Sequence, residues 1–238
     1  MAHDNDDHSL LLFEIPYNYR PGSDSMSKAF VKDARIMNSI VTTVVGAHAD
    51  NKYTTMDCEW IDGRGDALFA PMIESADLPP IVVEIQNTVD ISFIRRIMNY
   101  CWNAQAKFNV KPIAITFCVK TIRSEIVDKF EDTDKGAFMK KLPCEFWARD
   151  YFVLTATTIS NYVTTTPMHP IVALEYVLTQ QERCLISLEY KDDPTVKILY
   201  AIAKDSLKHN LGDEKATLAA LIESCQQNQK QYKKSSML

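Results

Sequence analysis

Two acids in this chain have the neighbours and the spacing that metal chemistry needs. Asp66 lies in the run Gly63-Arg64-Gly65-Asp66-Ala67-Leu68-Phe69, and Glu84 lies in Ile81-Val82-Val83-Glu84-Ile85-Gln86. Both runs have the look of short buried strands. Side chains alternate faces along a strand, so Glu84 and Gln86 point one way while Val83 and Ile85 point the other. Asp66 on the neighbouring strand can then sit beside Glu84. An acidic pair on otherwise apolar strands is costly to bury unless a cation or hydrogen bonds compensate. Mg²⁺ suits such a pair, because it is hard, prefers oxygen and takes one or two protein carboxylates plus water and phosphate oxygens. The chemistry would be metal-assisted phosphodiester hydrolysis. The alternative is that Asp66 closes a turn after Gly65 and Glu84 pairs with an arginine.

The elements that would position these residues follow from the apolar periodicity. A helix starting near Ser25 or Ser27 and running to about Val45 carries Phe30, Ala34, Met37, Ile40, Val41 and Val44 as its apolar stripe. Tyr53–Ile61 alternates as a strand, and Asp62-Gly63 is a turn signal into a second strand, Asp66–Ala70. After Pro79-Pro80 come a strand Ile81–Gln86, a helix from Asp90 or Ser92 to about Phe108, and an apolar strand Ile113–Val119. A hairpin leading into a parallel crossover predicts a mixed α/β sheet. Residues 121–143 predict loop with a short helix, and Tyr151–Ile159 predicts an edge strand. Helices are expected over Pro170–Gln181, Pro194–His209 and Glu214 to about Cys225. The organisation expected is a tail and lead-in over 1–22, a core over 23–165, a helical C-terminal region over 166–225 and a polar tail over 226–238.

Composition narrows the function classes. With 238 residues and 46% hydrophobic content, the chain can bury a sizeable core as one large domain or one domain with a helical annex. The net charge of -5 is mildly acidic, against the basic excess usual in nucleic-acid binders, so a DNA-facing surface would have to be local. The six cysteines, Cys58, Cys101, Cys118, Cys144, Cys184 and Cys225, form no CxxC pair and read as free buried thiols of a reducing compartment. The acidic start, with His3 and His8 among aspartates, has no apolar signal segment. No apolar run nears the roughly 20 residues that span a bilayer. The expectation is an intracellular protein, in cytoplasm or nucleus, with no membrane partner. Only six glycines are present, and neither a glycine-rich phosphate loop nor a Gly-x-Ser-x-Gly elbow occurs, which speaks against a doubly wound cofactor enzyme and a serine hydrolase. Glu131, Asp132 and Asp134 do not have EF-hand spacing. Trp102, Phe146 and Trp147 read as packing residues.

The order helix–strand–strand–strand–helix–strand, with Asp66 followed by Glu84-Ile85-Gln86, resembles the PD-(D/E)XK nuclease superfamily. Within it the chain is most similar to the recombination-promoting nuclease and transposase (Rpn-like) branch. The resemblance rests on Asp66-Ala67-Leu68-Phe69 ahead of the Val-Glu-Ile-Gln strand and on Phe93-x-x-Arg96-x-x-x-Tyr100 in the next helix. It extends to His169-Pro170-Ile171 through Leu178 with Asp193-Pro194 beyond, and covers roughly residues 25–210. It implies a restriction-endonuclease-like mixed sheet flanked by helices, with a helical C-terminal annex. The implied activity is DNA cleavage with Mg²⁺, or Mn²⁺ as substitute, held by Asp66 and Glu84. Gln86 would orient the attacking water, where much of the superfamily has lysine. Glutamine supplies neither a proton site nor a charge, so a non-catalytic relative serving as a binding module is the second expectation. Arg96 would hold a phosphate oxygen through its planar fork, or else form a buried salt bridge to Glu84 or Asp66. Asp33 is the nearest match to the first-helix acid of the superfamily, with a solvated helix face as its other reading. Lys107, Lys111, Lys120 and Arg123 would offer a modest DNA-facing edge. A homodimer is implied by analogy with nucleases that cut both strands.

Overall fold

A computed structural model describes residues 9–56, 59–60 and 63–208. Its first surprise is local. The single helix expected up to Val45 is two helices, α1 (Asp24–Lys32) and α2 (Ala34–Val44), separated at Asp33, which is extended at φ -65° and ψ 130°. The Asp33 carboxylate accepts the Arg35 amide at 3.0 Å and so caps α2, satisfying one of the donors that a helix start leaves over. Arg35 closes on the same carboxylate through its guanidinium, at 3.0 and 2.9 Å. Asp33 is therefore a cap, and the solvated-face reading is corrected. Asp33→Ala is expected to lower stability by about 1 kcal/mol, read as a drop of roughly 2–4 °C in the melting midpoint. An unchanged midpoint would mean the cap contributes nothing.

The sheet has six strands in the order β1-β4-β5-β6-β8-β7. They are β1 (Tyr53–Met56), β4 (Ala67–Pro71), β5 (Ile81–Val89), β6 (Ile113–Ile122), β7 (Lys140–Lys141) and β8 (Asp150–Thr155). The expected hairpin is present, with Tyr53 opposite Pro71 and Met56 opposite Leu68. The described residues of the expected strand Tyr53–Ile61 are all extended, but in two ladders: β1, and a separate two-residue pairing of β2 (Glu59–Trp60) on β3 (Gly63–Arg64); Asp57, Cys58, Ile61 and Asp62 lie outside the described residues. β4 pairs antiparallel with β5, β5 parallel with β6, and β6 parallel with β8, which makes the sheet mixed and the protein α/β.

Two further expectations are corrected on the far side. The strand expected to Ile159 ends at Thr155, where Thr155 and Thr158 exchange side-chain and backbone bonds in a capping box that opens α5 (Ala156–Ile159). β8 is also not the edge. β7, from the stretch expected to be loop, pairs outside it with Lys141 opposite Phe152; two lysines suit an edge that must not recruit further strands. The short helix expected there is α4 (Ser124–Val127).

Helices cover both faces of the sheet. α1, α2, α6 (Pro170–Gln180) and α7 (194–208) share one core with Ile81, Val83, Ile115, Phe117 and Phe152. α3 (Ile91–Phe108) covers the other face, burying Phe93, Ile97, Tyr100, Cys101 and Ala104 against Val82, Ala114, Tyr151 and Val153. The buried spacing of α3 is that of one helical stripe. Asp90 caps it by accepting the Phe93 amide at 2.8 Å. Asp193 caps α7 from the Thr195 and Val196 amides at 2.9 and 3.1 Å and takes the Met168 amide at 2.8 Å.

The lead-in is tied to the far end of the chain. Ile15 and Arg183 bond each other, amide to carbonyl at 2.9 Å and guanidinium to carbonyl at 2.8 Å, and Gln181 Nε2 donates to the Pro21 carbonyl at 3.2 Å. Cys101, Cys118 and Cys144 are buried free thiols and Cys184 is a partly exposed one. Trp147 packs in the core, but Trp102 is half exposed and Phe146 is 85% exposed, so packing does not describe those two. The expected helix over 214–225, the tails, His3, His8, Cys58 and Cys225 lie outside the described residues. No helix among the described residues is long and apolar enough to cross a membrane.

Candidate active site

Extending the β4–β5 register by one residue beyond Ala67 opposite Val83 sets Asp66 opposite Glu84. Each carboxyl then accepts a backbone amide from the other's strand. The Asp66 amide donates to Glu84 Oε1 at 3.0 Å, and the Ile85 amide donates to Asp66 Oδ2 at 2.7 Å. This reciprocal clasp fixes both side chains with main-chain bonds, the most rigid partners available. Glu84 points to the α3 face with Gln86, while Val83 and Ile85 join the opposite core, as alternation requires. Next to Glu84 on β6 stands Thr116, whose hydroxyl bonds the buried Tyr151 hydroxyl at 3.1 Å.

Burial sets the electrostatics. Asp66 is 9% and Glu84 3% exposed. Burial, and after it the neighbouring Asp66 charge, pushes the Glu84 carboxyl up to about 8; the Asp66 amide, Arg96 and Lys28 pull against that. Burial likewise raises Asp66, opposed chiefly by the Ile85 amide and then by Lys28. Two carboxyls pushed up together form a site in which a cation would relieve both desolvation and mutual repulsion. The donor set fits a hard divalent ion that needs only two protein carboxylates. Among the described residues no group of three His, Cys, Asp or Glu is placed to hold a metal, so the remaining ligands would be water, backbone or substrate oxygens.

Gln86 and Arg96 complete this side. Arg96 Nη2 donates to Gln86 Oε1 at 2.7 Å and stands 4.0 Å from Glu84 Oε2. Gln86 Nε2 donates to the Thr88 carbonyl at 3.0 Å, which fixes which end of the amide meets the arginine. The Arg96 guanidinium also lies 5.1 Å from the Phe93 ring centre. With 44% of its side chain exposed, Arg96 rims the acids rather than sealing them.

A cleft of about 390 Å³ opens here, with Asp66, Glu84 and Gln86 on the sheet and Arg96 and Tyr100 along α3. All four sequence-predicted site residues, Asp66, Glu84, Gln86 and Arg96, meet in it. Tyr100 serves both as core and as cleft wall. The opposite wall was not foreseen: it is the start of α1, with Gly22, Asp24 and Ser27. Asp24, and not Asp33, is the first-helix acid at the cleft. Lys28 ion-pairs with Asp24 at 2.7 Å and acts through space on both Asp66 and Glu84. The helix expected from Ser25 or Ser27 starts earlier, at Asp24, which places residues 24, 27 and 28 on its first turns, and the packing of α1 on β4 and β5 brings them to the acids. Lys107, Lys111, Lys120 and Arg123 do not line the cleft, and Asp132 is engaged by Lys140 at 2.5 Å.

Comparison with protein-family models, with curated proteins and with solved structures finds no match to this chain.

Proposed function

We propose that the chain is a Mg²⁺-dependent DNA endonuclease of recombination or mobile-element type, built on a restriction-endonuclease-like sheet with α6 and α7 as its C-terminal annex. The observation that carries the reading is the cross-strand clasp, which places two buried carboxyls side by side at a polar cleft. Structural acids rarely justify such burial, whereas sites that hold a cation do. Asp66 and Glu84 would hold Mg²⁺, or Mn²⁺ in its place. A bound ion of this kind supplies an acidified water and neutralises charge on a phosphate. Gln86, anchored at one end by Thr88, would orient the water by its side-chain oxygen. Arg96 would hold a phosphate oxygen, since its rim position and its fork of donors suit a bidentate anion. Gln86 takes no proton, so proton removal falls to solvent or substrate. Cutting both strands would use a homodimer.

A specific observation favours a second reading. Arg96 already bonds Gln86 and reaches toward Glu84, as it would in a catalytically inactive module that keeps the scaffold for binding. Incubation of supercoiled plasmid with the protein in Mg²⁺, in Mn²⁺ and in EDTA separates the two. Nicking that needs the metal is the expected result. Intact plasmid under all three conditions, with folded protein, sinks the enzyme and leaves the module.

A further inference from the structure

The α1 wall of the cleft contains a polar group for which the fold has no evident use. Ser27 lines the cleft and is 2% exposed, yet its hydroxyl has no hydrogen-bond partner among the described residues. A helical serine ordinarily turns its hydroxyl back onto the carbonyl four residues earlier, as Ser39 does onto Arg35 at 2.8 Å; the Ser27 hydroxyl makes no such bond. A buried hydroxyl left unmatched is destabilising, and such groups are rare in native proteins unless a ligand or function needs them. The next residue is Lys28, a cation whose field reaches both acids from this side. The chain approaches through Gly22 at φ +80°, where a Cβ would come within 2.7 Å of Gln181 Nε2. That turn therefore has no side chain, and Gly22 lines the cleft beside Asp24 and Ser27.

We propose that Ser27 and Lys28 form a phosphate subsite on the α1 wall, facing Arg96 across the acid pair. A phosphodiester in the cleft is then held from two sides, by the Ser27 hydroxyl and Lys28 ammonium on one and by the Arg96 guanidinium on the other. Asp24, which holds Lys28 at 2.7 Å, is a resident competitor: an entering phosphate draws the ammonium away from an exposed carboxylate that water can solvate. The proposal deepens the nuclease reading and rests on it for the identity of the ligand, but the subsite is defined by anion chemistry alone.

The test is binding of inorganic phosphate to the full chain in the presence of Mg²⁺, by calorimetric titration, for wild type, Ser27→Ala, Lys28→Ala and Lys28→Arg. Each alanine variant is expected to weaken phosphate binding about tenfold, with Lys28→Arg retaining most of it. The melting midpoint of Ser27→Ala is expected to hold or rise, because the substitution removes an unmatched buried hydroxyl. A fall in that midpoint, or phosphate binding that is absent in wild type or indifferent to both alanines, overturns the subsite. Plasmid cleavage run alongside keeps the two claims apart. A wild type that never cuts but loses phosphate binding in both variants retains the subsite without the nuclease. Cutting lost in Asp66→Ala, with phosphate binding unmoved by the α1 variants, retains the nuclease without the subsite.

Discussion

Asp66→Ala and Glu84→Ala are each expected to reduce metal-dependent plasmid nicking by about a thousandfold or more, an effect on the scale of losing a principal transition-state stabiliser. The two losses should not add, because both act through one bound ion and through one another's backbone clasp. Glu84→Ala removes the acceptor of the Asp66 amide, and Asp66→Ala removes the acceptor of the Ile85 amide. Both variants therefore need a thermal melt beside the assay, and Glu84→Gln, which keeps the Oε1 acceptor, is the better isolator of charge. Nicking that survives all three at wild-type rate would place the activity elsewhere or in a contaminant.

The second large effect is on stability and is independent of any DNA. Burial and the Asp66 charge push the Glu84 carboxyl from 4.5 up to about 8. The folded protein then retains a proton that the unfolded chain releases, so stability falls as pH rises from about 4.5 through about 8. Glu84→Gln abolishes this titration. At pH 8.5 and without divalent ions its melting midpoint is expected to exceed that of wild type by roughly 5–10 °C, and the gap should close toward pH 5. Mn²⁺ is expected to raise the wild-type midpoint at high pH and to leave Glu84→Gln nearly unmoved, since a ligand stabilises only the state that binds it. Midpoint curves that stay parallel across this range, with equal response to Mn²⁺, would show that the carboxyl is neither strained nor a metal ligand.

The parts of the site that the sequence made legible are those fixed by local periodicity. Glu84 and Gln86 share a face because strands alternate, and Phe93, Arg96 and Tyr100 line up because helices repeat every 3.6 residues. Their meeting with Asp66 needed only one hairpin register. What stayed hidden depends on contacts between distant segments or on a side chain that outcompetes the pattern. The apolar stripe runs through Asp33 without interruption, so periodicity alone gave one helix; the carboxylate bonding its own downstream amide is what breaks it. Lys140 and Lys141 have no strand signature and pair only because β8 offers its edge. Asp24, Ser27 and Lys28 became a cleft wall only when α1 settled on β4 and β5.

The bond from Gln181 to the Pro21 carbonyl joins positions 160 residues apart, and the turn it steadies borders the acid pair. That bond cannot form until the segment around Gln181 has left the ribosome. Until then the half of the molecule carrying Asp66, Glu84, Gln86 and Arg96 lacks one tether of its α1 wall, which otherwise packs on β4 and β5. Completion of the site thereby waits on the segment around Gln181.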